Sequence, residues 1–305
     1  MVVDIPPPEL ARHPLRQLAS DRWAVAGGAT IVVFLLIALA APLLSGLEGH
    51  DPYTYDLDAV SDTGAPLGFG GGISVEHWFG VEPMTGRDLF AIVVHGARTS
   101  FLVGFAATAL AVLIGVAVGL TAGYLGGWYD RLVSRFIDVL FGFPWLVFVI
   151  ALGAIAPADL PKQLLIILVI GLFGWPGIAR VVRGQTLALK QRTFVVAATA
   201  LGAGPGHLLR HQYLPNLTST IIVYSTMTIP GMIGAEAALS FLGVGVPPPT
   251  PAWGRTIGDA VGWVQTDPMF LVFPGTALFL ITLAFNLFGD GLRDALDPRT
   301  RGLKR

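Results

Sequence analysis

Runs of about twenty apolar residues recur along this chain, and a run of that length crosses the ~30 Å hydrocarbon layer of a bilayer as one helix. They occupy 24–44, 101–124, 136–155, 164–182, 217–243 and 270–288. With no water in that layer, backbone groups must pair inside the segment, which selects the helix. The expectation is an all-α, polytopic membrane protein with six transmembrane helices. A chain that is 53% hydrophobic and only 13% charged, with a mean hydropathy of +0.68, is too apolar for a soluble domain of 305 residues. Cysteine is absent, which removes disulfides, thiolate metal sites and cysteine nucleophiles. Residues 1–23 are polar and carry Pro6-Pro7-Pro8, and no small-residue cleavage site closes the first apolar run. That run therefore reads as a retained helix rather than a signal peptide.

The polar stretches divide the chain into a lead-in at 1–23, a first span at 24–44, an acidic extramembrane loop at 45–100, a core at 101–290 and a basic tail at 291–305. Orientation follows from Lys and Arg in alternate connections. Arg12, Arg16, Arg22, Arg131, Arg135, Arg180, Arg183, Lys190, Arg192, Arg210, Arg293, Arg299, Arg301, Lys304 and Arg305 fall on one side, against Arg87, Arg98, Lys162 and Arg255 on the other. This asymmetry predicts both termini in the cytoplasm and the 45–100 and 245–268 loops outside. Gly104, Gly115 and Gly119 in the second run suit close helix packing in lipid. Trp175-Pro176-Gly177 and Pro230-Gly231 predict a kink or break in the fourth and fifth spans.

The longest interruption on the cytoplasmic side is 194–216, FVVAATALGAGPGHLLRHQYLPN. It reads as a short helix, a tight Ala203-Gly204-Pro205-Gly206 turn, and a second short helix ending at Leu214-Pro215, where proline cannot donate the next hydrogen bond. Ala198 and Gly202, four apart, share a helical face on which missing bulk admits another polypeptide. An ordinary re-entry turn between two membrane helices is the plainer reading.

Among residues that could carry chemistry, Glu236 stands out, because a carboxyl group within a span is costly and often functional. A structural or interface role, a place on a substrate passage and a part in proton coupling are the three roles it suits. Arg135 and Asp138, three apart at a helix start, suggest a local ion pair, and Asp130 a support for the preceding turn. The Gly68–Gly72 cluster lacks the Lys-Ser/Thr ending of a phosphate loop and reads as a flexible stretch. No catalytic constellation or metal site is visible.

The 194–216 segment resembles the loop signature of the membrane subunits of binding-protein-dependent ABC importers, E-A-A, three residues, G, nine residues, I, any residue, L-P. Here it runs Val196-Ala197-Ala198, Gly202, Gln212 and Leu214-Pro215, with Val196 replacing Glu and Gln212 replacing Ile. Three flanking segments are similar to the dipeptide, oligopeptide and nickel branch, in its second membrane subunit. They are Phe79 to Asp88 with Gly96-Ala97-Arg98-Thr99-Ser100, then Gly123-Tyr124-Leu125-Gly126-Gly127-Trp128-Tyr129-Asp130 with Arg135 and Asp138, then Glu236 to Pro249 followed by Pro251-Ala252-Trp253-Gly254.

The resemblance implies the type I importer permease fold and a non-catalytic subunit. It implies as partners a homologous second permease, two cytoplasmic ATPase subunits that bind ATP and Mg²⁺, an extracytoplasmic substrate-binding protein and membrane lipid, with no nucleic acid. It also implies the bacterial cytoplasmic membrane as the location. Ala197, Ala198, Gly202, Ala203, Leu214 and Pro215 are then the ATPase-coupling residues, and Glu236, Trp253 and Arg255 candidates for a substrate passage or outer gate. Dipeptides or oligopeptides are the implied solutes, with nickel, glutathione or another small solute as alternatives. An ion-coupled secondary transporter is the alternative of a different class.

Overall fold

The computed structural model describes residues 14–155 and 161–296. The helices are α1 (Pro14–Ser20), α2 (Arg22–Glu48), α3 (Leu89–Leu125), α4 (Gly127–Gly142), α5 (Trp145–Ile155), α6 (Lys162–Lys190), α7 (Thr193–Ala200), α8 (Pro205–His207), α9 (Leu214–Phe241), α10 (Trp253–Ala260) and α11 (Met269–Leu296), and a π-helical turn, Leu208–Tyr213, joins α8 to α9. Among the described residues five helical stretches are long and apolar enough to cross a membrane. A sixth arises if α4 and α5, bent by 74°, are one span. The chain is thus an all-α polytopic membrane protein.

Local chemistry sets the ends of these helices. Asp21 accepts from the Trp23 and Ala24 amides to start α2, and Asp88 accepts from the Ala91 amide to start α3. Gly126 and Gly127, at φ 69° and 60°, turn the chain between α3 and α4 at no Cβ cost. The break between α4 and α5 falls at Phe143, extended at ψ 130°, because Pro144 bars its predecessor from helical geometry.

Four expectations change here. The second span begins at Leu89, inside the stretch read as an outer loop, since Leu89, Ile92, Val93 and Val94 are buried despite their polar neighbours. The turn expected at 126–135 is the first half of α4, and the third apolar run is divided between α4 and α5, which meet at a 74° bend. α6 and α9 run unbroken through Pro176 and Pro230. One lost hydrogen bond costs less than unpairing several backbone groups in lipid, so a proline alone does not break a span. Residues 14–20, expected to be irregular, form α1 against α11, and Gln17 donates to the Asp294 carbonyl at 3.4 Å. The lead-in at 1–13, the proline-bearing connection at 156–160 and the tail at 297–305 lie outside the described residues.

α3 and α6 form the most extensive pairing. Its seam is a glycine stripe: a Cβ at Gly115 would lie 2.9 Å from the Trp175 carbonyl oxygen, at Gly119 2.5 Å from that of Ala179, and at Gly123 2.9 Å from that of Arg183. The backbones touch because these side chains are missing. α2 packs on α3 and α11, and α9 crosses α3, α6 and α11. One core lies among α3, α6, α9 and the 193–217 segment; a second joins α2, α3, α10 and α11.

At the end carrying residues 49–88 the connection is held by ion pairs. Glu82 and Arg87 pair at 2.6 Å, Arg87 donates to the Pro249 carbonyl at 3.0 Å, and His77 meets Asp88 at 2.8 Å. The Gly68–Gly72 stretch is ordered, contrary to expectation. Gly70, Gly71 and Gly72 all adopt positive φ, and the Gly71 carbonyl accepts from the Val81 amide at 2.9 Å.

Candidate functional site

At the opposite end, the 191–213 connection is a helical hairpin. Arg192 is extended at ψ 140°, and α7 begins at the next residue. Its inward face carries Val195, buried, and Ala198, half-buried in the core. Leu208 and Tyr213 anchor the return, Tyr213 being 1% exposed and edge-on to Tyr124 at 5.8 Å. Phe194, Ala197 and Leu201, spaced three and four apart, face solvent together beside Val196 and Ala200. Leu201 is 89% exposed and Val196 55%.

This arrangement corrects the shared face expected of Ala198 and Gly202. Gly202 lies beyond α7 at φ +82°, its amide donating to the Thr199 carbonyl at 3.0 Å while the Ala203 amide reaches the Ala198 carbonyl at 3.1 Å. That is a Schellman cap, and glycine is required there for the left-handed backbone. An added Cβ would meet nothing within 4 Å, so bulk is not the constraint. Ala198 and Ala203 close the cap from the core side, and the outward stripe is Phe194, Ala197 and Leu201. A Gly202→Val variant should destabilise the hairpin by about 1–2 kcal/mol, with Gly202→Asn close to wild type because Asn tolerates this region. Limited proteolysis between 191 and 213 measures it; equal protection of both variants would remove the cap argument.

Nor does a second short helix end at Leu214-Pro215. The helix runs on from Pro205 to Phe241, and the π-helical turn just before Pro215 absorbs the missing donor, with the Leu214 amide reaching back five residues to Leu209. The return arm of the hairpin is therefore continuous with a span. Val196 stands exposed, so the hairpin is held by burial of Val195, Leu208 and Tyr213 and needs no carboxylate at 196.

Two ion pairs beside the hairpin were not found by sequence reasoning. Asp130 takes a double hydrogen bond from Arg183, and Asp138 meets Arg180 at 2.9 Å, not Arg135 as expected. Arg180 and Arg183 lie three apart on α6, opposite Asp130 and Asp138 on α4. The aspartates are eight residues apart and the arginines three, so no matching spacing in the sequence pointed to these pairs. Lys190 donates to the Tyr124 carbonyl at 2.8 Å, tying the end of α6 to that of α3.

The three candidate passage residues are not brought together at an open surface. Glu236 is 0% exposed between α9 and α3, accepting from Ser240 Oγ at 2.6 Å and Ser100 Oγ at 3.3 Å, while Ser240 Oγ accepts from the Val246 amide at 3.1 Å. Of the three roles it suits, the structural one fits this geometry. Trp253 was expected in an exposed loop; it is 1% exposed at the start of α10, donating to the Val93 carbonyl at 2.8 Å and packed on Gly96. Arg255 pairs with Asp259 at 2.9 Å on the outer side of the same helix.

Glu236→Leu leaves both serine hydroxyls without their acceptor and should cost about 1–3 kcal/mol, and Glu236→Gln less. Thermal unfolding in detergent checks this. Lost solute uptake with unchanged stability would instead move Glu236 into the passage.

Residues 115–302 match the family described as binding-protein-dependent transport system inner membrane component, and residues 11–66 match the N-terminal TM domain of oligopeptide transport permease C. The chain is 38% identical over 290 residues to the dipeptide transport system permease protein DppC of Alkalihalophilus pseudofirmus, covering 95% of this chain and 90% of that one. It is also 38% identical over 287 residues to the glutathione transport system permease protein GsiD of Escherichia coli O157:H7, covering 94% of this chain and 90% of the relative.

Proposed function

This chain belongs to the binding-protein-dependent transport system inner membrane components, and from that membership we propose that it is the permease subunit of an ATP-driven importer of dipeptides or oligopeptides. Its kinship to a dipeptide permease and the match to the oligopeptide permease C N-terminal domain support the solute class. Glutathione, a peptide-like solute named for a second relative, is the nearest alternative. In this reading the protein hydrolyses nothing itself. ATP and Mg²⁺ belong to two cytoplasmic ATPase partners, a homologous permease completes the passage, and an extracytoplasmic binding protein delivers solute to the 49–88 end, where Arg255 and Asp259 are presented. The Lys and Arg asymmetry supports both termini, and the 191–213 hairpin, facing the cytoplasm.

The observation that carries the mechanism is the hairpin itself: an exposed apolar stripe, Phe194, Ala197 and Leu201, on a turn whose other face is locked into the core and whose chain continues into α9. An apolar stripe of this kind marks a protein contact. Closure of the ATPases around α7 would push it as a rigid unit, and α9 would carry the displacement along the span. The assembly then alternates between two packed arrangements, the form that switching takes in close-packed proteins.

Purification of the tagged chain from its native membrane, with identification of what comes with it and assay of ATP turnover with and without peptide, tests this. Two ATPases, a second permease and peptide-stimulated turnover are expected. A chain recovered alone that moves solute under an ion gradient would overturn the reading.

A further inference from the structure

Between α2 and α3, toward the 49–88 end, lies a cavity of about 820 Å³. Small-molecule sites commonly run ~300–1,000 Å³. It is an open groove: Leu39, Leu102 and Phe105, all exposed, give it apolar walls, and Tyr53, Gln163 and Arg98, the last also exposed, complete its lining. Arg98 sits about 14 Å along α3 from Leu89, at 1.5 Å per residue. Of the four basic residues on this side of the chain, Arg87 is paired with Glu82 and Arg255 with Asp259, whereas Arg98 and Lys162 have no ion pair or side-chain hydrogen bond among the described residues, and of these two Arg98 lines the cavity. Nearby Asp51 is spent locally, accepting from the Tyr53 and Thr54 amides and the Thr54 hydroxyl. His95, one turn before Arg98, is engaged by Ser45 at 3.2 Å.

An exposed guanidinium without a counter-ion keeps its five N–H donors available to an arriving anion. Its planar fork matches a carboxylate with two parallel hydrogen bonds. We propose that Arg98 holds the carboxylate of a solute in transit, in the α2–α3 cavity, so that the ligand class is a small carboxylate-bearing peptide. Leu102 and Phe105 then receive its apolar side chains, and Gln163 its amide groups. The proposal rests on the importer reading above.

The test uses the whole importer in proteoliposomes and a dipeptide carrying a photoreactive side chain, supplied as the free acid and as its C-terminal amide. The free acid should label α2 and α3 residues of the cavity about tenfold more than the amide, the factor that 1.4 kcal/mol of charge-assisted hydrogen bonding supplies. Arg98→Gln should lower free-acid labelling to the amide level, and Arg98→Lys should restore most of it. Equal labelling of acid and amide, or of Arg98→Gln and wild type, would overturn the proposal. So would labelling displaced by anionic phospholipid and not by unlabelled dipeptide, which assigns the charge to a lipid headgroup. Peptide uptake without any label on α2 or α3 refutes the cavity alone, whereas a wild-type assembly that takes up no peptide refutes the importer reading.

Discussion

Gly119→Leu should leave almost no folded chain in the membrane. A Cβ at this position would lie 2.5 Å from the Ala179 carbonyl oxygen and 3.0 Å from the Ala179 Cα, so the obstacle is the backbone of α6, which no rotamer change can move. Its neighbours on the stripe, Gly115 and Gly123, meet α6 backbone at 2.9 Å, and the whole seam must open for one side chain to enter. Overpacking a core that can yield costs about 1–3 kcal/mol. Here the cost should exceed that range, against a native margin of about 5–15 kcal/mol. The α3–α6 pair is the most extensive in the molecule, so little would remain to hold the bundle. Gly119→Ala should give an intermediate loss. The amount of folded chain recovered in mild detergent, with its unfolding temperature, decides the matter; a Gly119→Leu protein as abundant and as stable as wild type would refute the close-packed seam.

Leu201→Glu should do the opposite, leaving the bundle intact while uncoupling it. Leu201 is 89% exposed and contributes nothing to the core, so folding and insertion should be unchanged. If, as proposed, the stripe seats in a partner's cleft in the assembled importer, a carboxylate there must be desolvated without a cation beside it. Losing a central apolar contact of this kind costs about 2 kcal/mol or more, equivalent to about thirtyfold in affinity. The expected result is a variant that purifies as a monodisperse chain, has lost its ATPase partners or their response to peptide, and transports at background. Val196→Glu restores the residue type found at that position in the loop signature and should be far milder. Wild-type peptide-stimulated turnover in Leu201→Glu would show that the stripe is not the contact.

Five of the spans and their approximate positions could be read from the sequence, because hydrocarbon imposes a length and a polarity on any segment that crosses it. The glycine stripe at Gly115 and Gly119 was legible for the same reason: lipid removes the hydrophobic drive between helices, so close contact has to come from small residues. The 194–216 hairpin was legible through its spacing, since a helix, a glycine cap and a turn are local structures.

Its working face was not. Gly202 counted as a small-residue contact until the structure put it at φ +82°, where the demand comes from the backbone. The outward stripe then fell on Phe194, Ala197 and Leu201, because which side of an eight-residue helix is buried depends on Leu208 and Tyr213 returning beneath it. Trp253 and Glu236 show the same limit from the other side. Both look exposed or functional in a linear reading, and both are interior, since Gly96 leaves room for the indole and Ser100, far earlier in the chain, joins nearby Ser240 in donating to the carboxyl group. Likewise, only the folded arrangement sets Asp130 against Arg183 and puts Arg98 on the lining of a cavity. Sequence alone determined what each segment must be in lipid, a property of the segment and its solvent. Tertiary structure decided which groups meet, because partners distant in the chain become neighbours only when the helices pack.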